Sequence, residues 1–349
     1  MDNFQIKAAV LEKLNSPLVI DHLNIPRLDV GQVLVKVCCS GICGKQIGEI
    51  SGLYGEDKYL PHLLGHEGGG IVIETGPGVT NVRKGDHVVM HWRKGVGIES
   101  SPPRYQRDAG YVGGGWVTTF NEYSVVSENR LTPISKDVPF EVAALMGCAV
   151  TTALGIINNE AQLKIGQSIA IFGCGGVGLN LVQGASMVSG SPIISIDKFD
   201  NKLEMASKYG ATHTINSSIS DVKEEIFNIV GRRGVDVFVD CTGNINVIAQ
   251  AYELTASSGT TILVGQPRFD QSLVINNIVR HFGGKKIFAS QGGLTNPTQD
   301  IPRYLRLYSK GRFNLTGLIT HAFKLDEINL ALDKMRSGET GRCIIVMDK

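Results

Sequence analysis

A chain of 349 residues, 42% of them apolar, exceeds what one hydrophobic core ordinarily serves, so two domains are expected. Its 34 basic and 33 acidic residues nearly cancel and form no run of like sign, which excludes nucleic acid or an acidic membrane surface as main partner and leaves a small molecule. No apolar stretch reaches the ~20 residues of a membrane helix, the N-terminus lacks the form of a signal peptide, and seven scattered cysteines read as reduced thiols, so a soluble cytoplasmic protein is expected.

From residue 1 to about 150, short β-rich runs broken by glycine predict a compact, mostly β domain with long loops: "GQVLVKVCCSGIC", "GGGIVIETGPGV", "KGDHVVMHW" and "NEYSVV". Within it, "GICGKQIGEISG" places Cys43 two residues before Lys45, "LLGHEGGG" places His66 and Glu67 ahead of a glycine run, and "LMGCAVTTALG" supplies Cys148. A Cys, His, Cys set can hold zinc and leave a fourth position open, as a catalytic rather than a structural site requires. Each residue alone also has a plainer reading: Cys148 as a small buried hydrophobe, His66 as a bonded core histidine, Cys43 as an inert loop thiol. Cys38, Cys39, Cys174, Cys241 and Cys343 lie in strand-like runs or a packed turn and read as core.

Between about 165 and 290 the rhythm becomes strand, helix, strand: "SIAIFG" before "VGLNLVQGASMV", "PIISID" before "NKLEMASKYG", "VDVFVDCTG" before "NVIAQAYELTA", then "TTILVG". Apolar strands alternating with helices imply a parallel sheet covered on both faces. Gly173, Gly175 and Gly178, with Gly176 and Val177 between them, have the spacing of a dinucleotide turn. They follow a strand and open a helix, whose free N–H groups can meet a pyrophosphate. The next strand ends at Asp197, nineteen residues past Gly178, where a carboxylate can accept bonds from the adenosine ribose. An acid there repels a 2′-phosphate, so NAD is expected over NADP, although Lys198 beside it can pair with a phosphate. Val264, closing "TTILVG", is a further cofactor-binding candidate. After 290 two helical segments precede "GRCIIVM", a closing strand that returns to the first domain. The expected boundaries are therefore 1–152 with 291–349 for the catalytic domain and 153–290 for the nucleotide domain.

The "GHE" block with its glycines through Gly76 and Val79, followed by the "GCGGVG" turn, resembles the zinc-containing medium-chain alcohol dehydrogenases over nearly the whole chain. The resemblance implies an α/β architecture, with a GroES-like, mostly β catalytic domain and a Rossmann domain whose doubly wound parallel sheet binds NAD. It implies that Cys43, His66 and Cys148 ligate zinc, with Glu67 as an occasional ligand or a carboxylate close behind. It further implies Thr152 against the nicotinamide ring, Trp92 in the substrate pocket, Arg342 reaching the cofactor phosphates, and a homodimer or homotetramer. Simple packing is the competing reading for Thr152 and Trp92.

Three departures from the family stand out. The segment "HWRKGVGIESSPPRYQRDAGYVGGGW" lacks the four cysteines of a structural zinc, so one catalytic zinc is expected and no structural one. Arg93, Lys94, Arg104 and Arg107 there read as a long loop, solvated or lining the site's mouth. Gln46 replaces an aspartate and can still accept a bond from His66, without charge. Lys45 replaces a serine or threonine, and three roles stay open for it. It can be a general base whose pKa zinc and burial lower, taking the alcohol proton while zinc acts as Lewis acid and hydride moves to NAD. It can anchor a substrate anion, or it can pair with Glu49. The expected activity is NAD-linked oxidation of a secondary alcohol on a sugar, polyol, cyclitol or sugar derivative. A zinc-free quinone or enoyl reductase and a non-catalytic cofactor-binding scaffold are the alternatives.

Overall fold

The computed structural model describes residues 5–276, 278–338 and 340–348. The chain divides into two compact units, Met1–Thr151 with Asn296–Lys349, and Thr152–Thr295. Among the described residues no single helix is long and apolar enough to cross a membrane.

The first unit is built around the strand Gln32–Gly41, whose sequence QVLVKVCCSG is buried along almost its whole length because neighbours flank both of its edges. It pairs antiparallel with Glu67–Thr75, with Tyr123–Ser127 and with the closing strand Arg342–Val346. The Ser40↔Gly68 register brings the end of one strand against the start of the next, so Cys43 and His66 emerge side by side. Glycine at 69 has a packing reason: a Cβ there would stand 2.8 Å from that of Ala143 and 2.7 Å from the Phe140 carbonyl. The helix Phe140–Met146 can lie flat on the sheet only across such a smooth patch, and it delivers Cys148 to the same end.

The same unit contains a closed barrel, in which the strands Gln5–Leu11, Val19–Asn24, Arg104–Arg107, Gly110–Gly113 and His62–Leu63 follow one another. The sequence reads residues 91–116 as a long loop whose cations are solvated or line the site's mouth, and here the structure differs. Arg104–Arg107 and Gly110–Gly113 form a hairpin whose Tyr105 and Val112 are fully buried while Arg104 and Tyr111 lie outside, Arg104 at 5.0 Å over the Tyr111 ring. Arg107 reaches Asp21 on the neighbouring strand Val19–Asn24 and Glu12 just past the strand Gln5–Leu11, a clamp that ties the hairpin to the barrel. Lys94 is paired with Glu99.

The second unit holds a parallel sheet in the order His213–Asn216, Ile193–Asp197, Ile169–Phe172, Val235–Asp240, Thr255–Leu263, Lys286–Ala289. Two of its inner strands, Ile169–Phe172 and Ile193–Asp197, are almost wholly apolar and buried throughout, as burial on both faces requires. The order places the first strand, Ile169–Phe172, at the sheet's centre, where the connections switch direction and a doubly wound sheet binds its nucleotide.

Burial pushes Asp21 up, but the bond from Arg107, the bond from the His22 N–H and the charge of Arg107 together outweigh it, and the carboxyl lies below its usual range. A depressed carboxyl contributes stability above its unfolded pKa and loses it as pH falls through the folded value. Arg107→Leu should therefore cost roughly 1 kcal/mol near neutrality, a melting point a few degrees lower. In thermal melts the difference should shrink towards zero on acidification through the carboxylate range.

Candidate functional site

Cys43 ends the first strand's extension and caps the short helix Gly44–Ile50 with extended backbone angles. The side chain of Gln46, one turn on, is buried and ties two elements together: its Oε1 accepts the Cys43 N–H at 3.0 Å, and its Nε2 lies 2.5 Å from His66 Nδ1. The sequence has Gln46 accepting from His66; in the structure the oxygen is engaged by the Cys43 amide and the nitrogen faces the ring. His66 Nε2 is then buried without a hydrogen-bond partner. The ligating atoms of Cys43, His66 and Cys148 all lie within 4.8 Å of one another.

This grouping fits a metal on its chemistry. An unsatisfied buried imidazole nitrogen is costly unless something occupies it, and two thiols beside it supply the soft donors that zinc prefers. The Cys148 thiol, and then the His66 ring, pull the Cys43 thiol well below its usual range, while Cys148 is pushed up by sharing its proton with Cys43 and by burial. Burial lowers His66, but the bond to Cys43 and its charge, with the charges of Glu67 and Glu49, together outweigh it and the ring is raised. Of the two thiols, Cys43 is the one that its surroundings favour as the thiolate.

Glu67 is not one of the ligating group. It is fully buried, one of its oxygens is bonded by the Arg342 guanidinium, and the other accepts from the Ala149 N–H at 3.4 Å. A carboxylate so deep in the protein needs a counter-charge more than a metal, and that requirement also corrects the expectation for Arg342. Its guanidinium is buried against Glu67, and this pairing, not a reach to cofactor phosphates, is the role the geometry carries. Burial pushes Glu67 up, and Arg342 holds it back. Two glycines make room for the carboxylate and its backbone: a Cβ at Gly41 would come 2.7 Å from Glu67 Cδ, and one at Gly147 would come 2.8 Å from its Cα. Both precede a cysteine of the triad.

Lys45 is half-buried, with Nζ 3.2 Å from the centroid of the Tyr54 ring. Burial lowers its pKa, opposed by the charges of Glu49 and Cys43. Trp92 packs partly buried on the first unit's core, its carbonyl bonded by Arg130 and its ring 5.7 Å from the Arg93 guanidinium. Packing is what the structure gives it. Tyr54 escaped the sequence reading, because it lies beyond the helix and only the turn at Gly52 folds it back.

In the second unit, Gly173 has φ +97°, and Gly178 has a would-be Cβ 2.0 Å from the Gly173 carbonyl, so neither position tolerates a side chain. Nothing stands within 4 Å of a Cβ at Gly175, which leaves the backbone open to approach where the helix Gly176–Met187, including Val177, begins. Asp197 is buried at its strand end, with Oδ2 accepting the Cys174 N–H at 2.7 Å and Oδ1 accepting from Lys198 and Phe199. The Lys198 ammonium lies 4.9 Å from the Phe199 ring centroid. Val264 donates its N–H to the Asp240 carbonyl, and Thr152 is buried with its carbonyl against Gly293.

The alcohol dehydrogenase GroES-like domain model matches residues 29–136, and a model described as zinc-binding dehydrogenase matches 176–310. The S-(hydroxymethyl)glutathione dehydrogenase of Paracoccus denitrificans is 31% identical over 376 residues, spanning 97% of this chain and 99% of its own. The alcohol dehydrogenase class-3 of Cereibacter sphaeroides is 31% identical over 379 residues, with the same coverage of 97% and 99%. Among solved structures, the benzyl alcohol dehydrogenase of Acinetobacter calcoaceticus is similar at 28% identity and TM-score 0.89, over 99% of this chain and 100% of that one.

A metal on His66 Nε2 requires the ring's proton on Nδ1 and an acceptor for it, so with an ion bound Gln46 has to turn its Oε1, in place of Nε2, to the ring. Gln46→Glu, an acceptor at both atoms, should tighten zinc, and Gln46→Met should weaken it by roughly 10- to 100-fold. Competition with a chromophoric chelator reads both; equal affinity in all three proteins would show that Gln46 has no such part.

Proposed function

The chain belongs to the zinc-containing medium-chain alcohol dehydrogenases, and from that premise we propose that it oxidises a secondary alcohol on a sugar, polyol, cyclitol or sugar derivative with NAD as hydride acceptor. The observation that carries the chemistry is the convergence of Cys43, His66 and Cys148 around an imidazole nitrogen with no other partner. Zinc held by these three supplies a Lewis acid for the substrate oxygen. The rest falls to the chain's own side chains: Gln46 orients His66, and the Glu67–Arg342 pair sets the two cysteine turns. Lys45, two residues from Cys43, is assigned to the substrate, its ammonium donating to a second oxygen beside the reacting one. That donor, with Glu49 on the same short helix and the Asp57–His62 pair at 2.8 Å just beyond it, makes a polar approach suited to a polyhydroxylated substrate.

The intact donor set counts against a zinc-free reductase and against a scaffold, since loss of catalysis would leave no reason to keep an unsatisfied buried nitrogen. A single zinc is proposed because the hairpin at 104–113 occupies the segment in which relatives carry the structural one. The Asp197 carboxylate supports NAD over NADP. Lys286–Ala289 ends the second unit's sheet, with Phe282 and Val279 exposed in the segment before it, and supports assembly through that edge into a dimer or tetramer. A second reading follows from similarity to the benzyl alcohol and S-(hydroxymethyl)glutathione dehydrogenases: a primary hydroxymethyl group as substrate.

Zinc-loaded protein assayed with NAD⁺ should turn over polyols, cyclitols or sugar derivatives faster than benzyl alcohol or S-(hydroxymethyl)glutathione, with NADP⁺ poorer by about tenfold or more, the equivalent of 1.4 kcal/mol. Turnover confined to the two hydroxymethyl substrates would select the second reading. No turnover with any of them, alongside normal NADH binding, would contradict the enzyme itself.

A further inference from the structure

We infer that Tyr54 is a positioning residue for this reaction: its ring face holds the Lys45 ammonium beside the Cys43 turn, in a gap that exists because residue 48 is glycine. The inference rests on the assignment of Lys45 to the substrate. A lysine head on four methylenes has about 2 kcal/mol of rotamer freedom and does not define a site unless something fixes it. Here the fixing element is local. Lys45 and Gly48 are three apart on the helix Gly44–Ile50 and so share a face. The chain then reverses through Gly52 at φ +66°, with Leu53 N–H donating to the Gly48 carbonyl at 2.9 Å, and this return lays Tyr54 back over the helix.

The fit leaves no slack. A Cβ at Gly48 would stand 2.5 Å from the Tyr54 hydroxyl oxygen and 2.7 Å from Cζ, so any side chain there would push the ring away. At 3.2 Å from the ring centroid, Nζ lies well inside the range of cation–π attraction. The ring draws the ammonium by its face, so the aromatic ring and not the hydroxyl is what the arrangement uses. Glu49, four residues from Lys45, contributes its charge from the same helix.

A double-mutant cycle with Tyr54→Leu and Lys45→Met tests this, with Tyr54→Phe as the conservative variant and zinc content measured throughout. Tyr54→Leu should lower kcat/KM by roughly 2- to 30-fold with zinc retained, while Tyr54→Phe recovers the parent value. In the Lys45→Met background Tyr54→Leu should change kcat/KM by less than about twofold, and it should lower the melting temperature less than it does in the parent. An undiminished effect of Tyr54→Leu in the Lys45→Met background would overturn the inference. Kinetic silence of both single variants, with coupled melting temperatures, would also overturn it, leaving a contact that positions nothing while parental turnover upholds the dehydrogenase. A parent without turnover would contradict the functional reading and the role with it, and the melting cycle would still report the contact.

Discussion

Glu67 carries a charge into the fully buried end of the first unit's central sheet, and the groups that hold the candidate chemistry are arranged around the need to satisfy it. One side of the carboxylate takes the Arg342 guanidinium from the closing strand, and the other takes the Ala149 N–H just after Cys148. Removing one partner of such a pair costs several kcal/mol because the other is stranded without water. The pair therefore fixes where the C-terminal strand, the helix before Cys148 and the start of the strand after His66 meet. Gly41 and Gly147, which leave room for the glutamate, lead into the two cysteines. A charge that takes no part in ligation thus determines where the ligands stand.

Around that support the ligands are prepared unequally. Cys43 is held by backbone: an extended cap, a helix behind it, and its N–H given to Gln46. His66 is held by side chain, its Nδ1 against the same glutamine, and Nε2 is left facing the sulfurs. An amide in place of a carboxylate keeps the orientation but withholds a negative charge, and on the same stretch a lysine replaces a hydroxyl. Both changes make the surroundings of the triad more positive than they are in relatives with aspartate and serine or threonine. A more positive pocket suits the oxygen-rich substrate proposed above, and in that proposal the two departures belong together.

Much of the second unit is legible in its residues, because a parallel sheet writes itself as apolar runs between helices, and the glycines at 173 and 178 admit no side chain. The triad is legible through the likeness of "GHE" and its flanking glycines to a known family; no spacing rule joins Cys43 to a cysteine more than a hundred residues on. What escapes the sequence depends on distant or reversed neighbours. Arg342 meets Glu67 across 275 positions, so nothing near either residue announces the pair. The hairpin at 104–113 reads as loop because glycine, proline and arginine mask the one informative alternation, buried Tyr105 and Val112 against exposed Arg104 and Tyr111. Tyr54 returns to its helix through a glycine of positive φ at Gly52, a geometry no periodicity reports.

The account stands on two sulfurs and one imidazole nitrogen sharing an ion. X-ray absorption at the zinc edge of the loaded protein tests this most directly. It should show two sulfur scatterers at about 2.3 Å with nitrogen or oxygen at about 2.0–2.1 Å, and one sulfur fewer in Cys148→Ser. A first shell of nitrogen and oxygen alone, or one unchanged by Cys148→Ser, would contradict it.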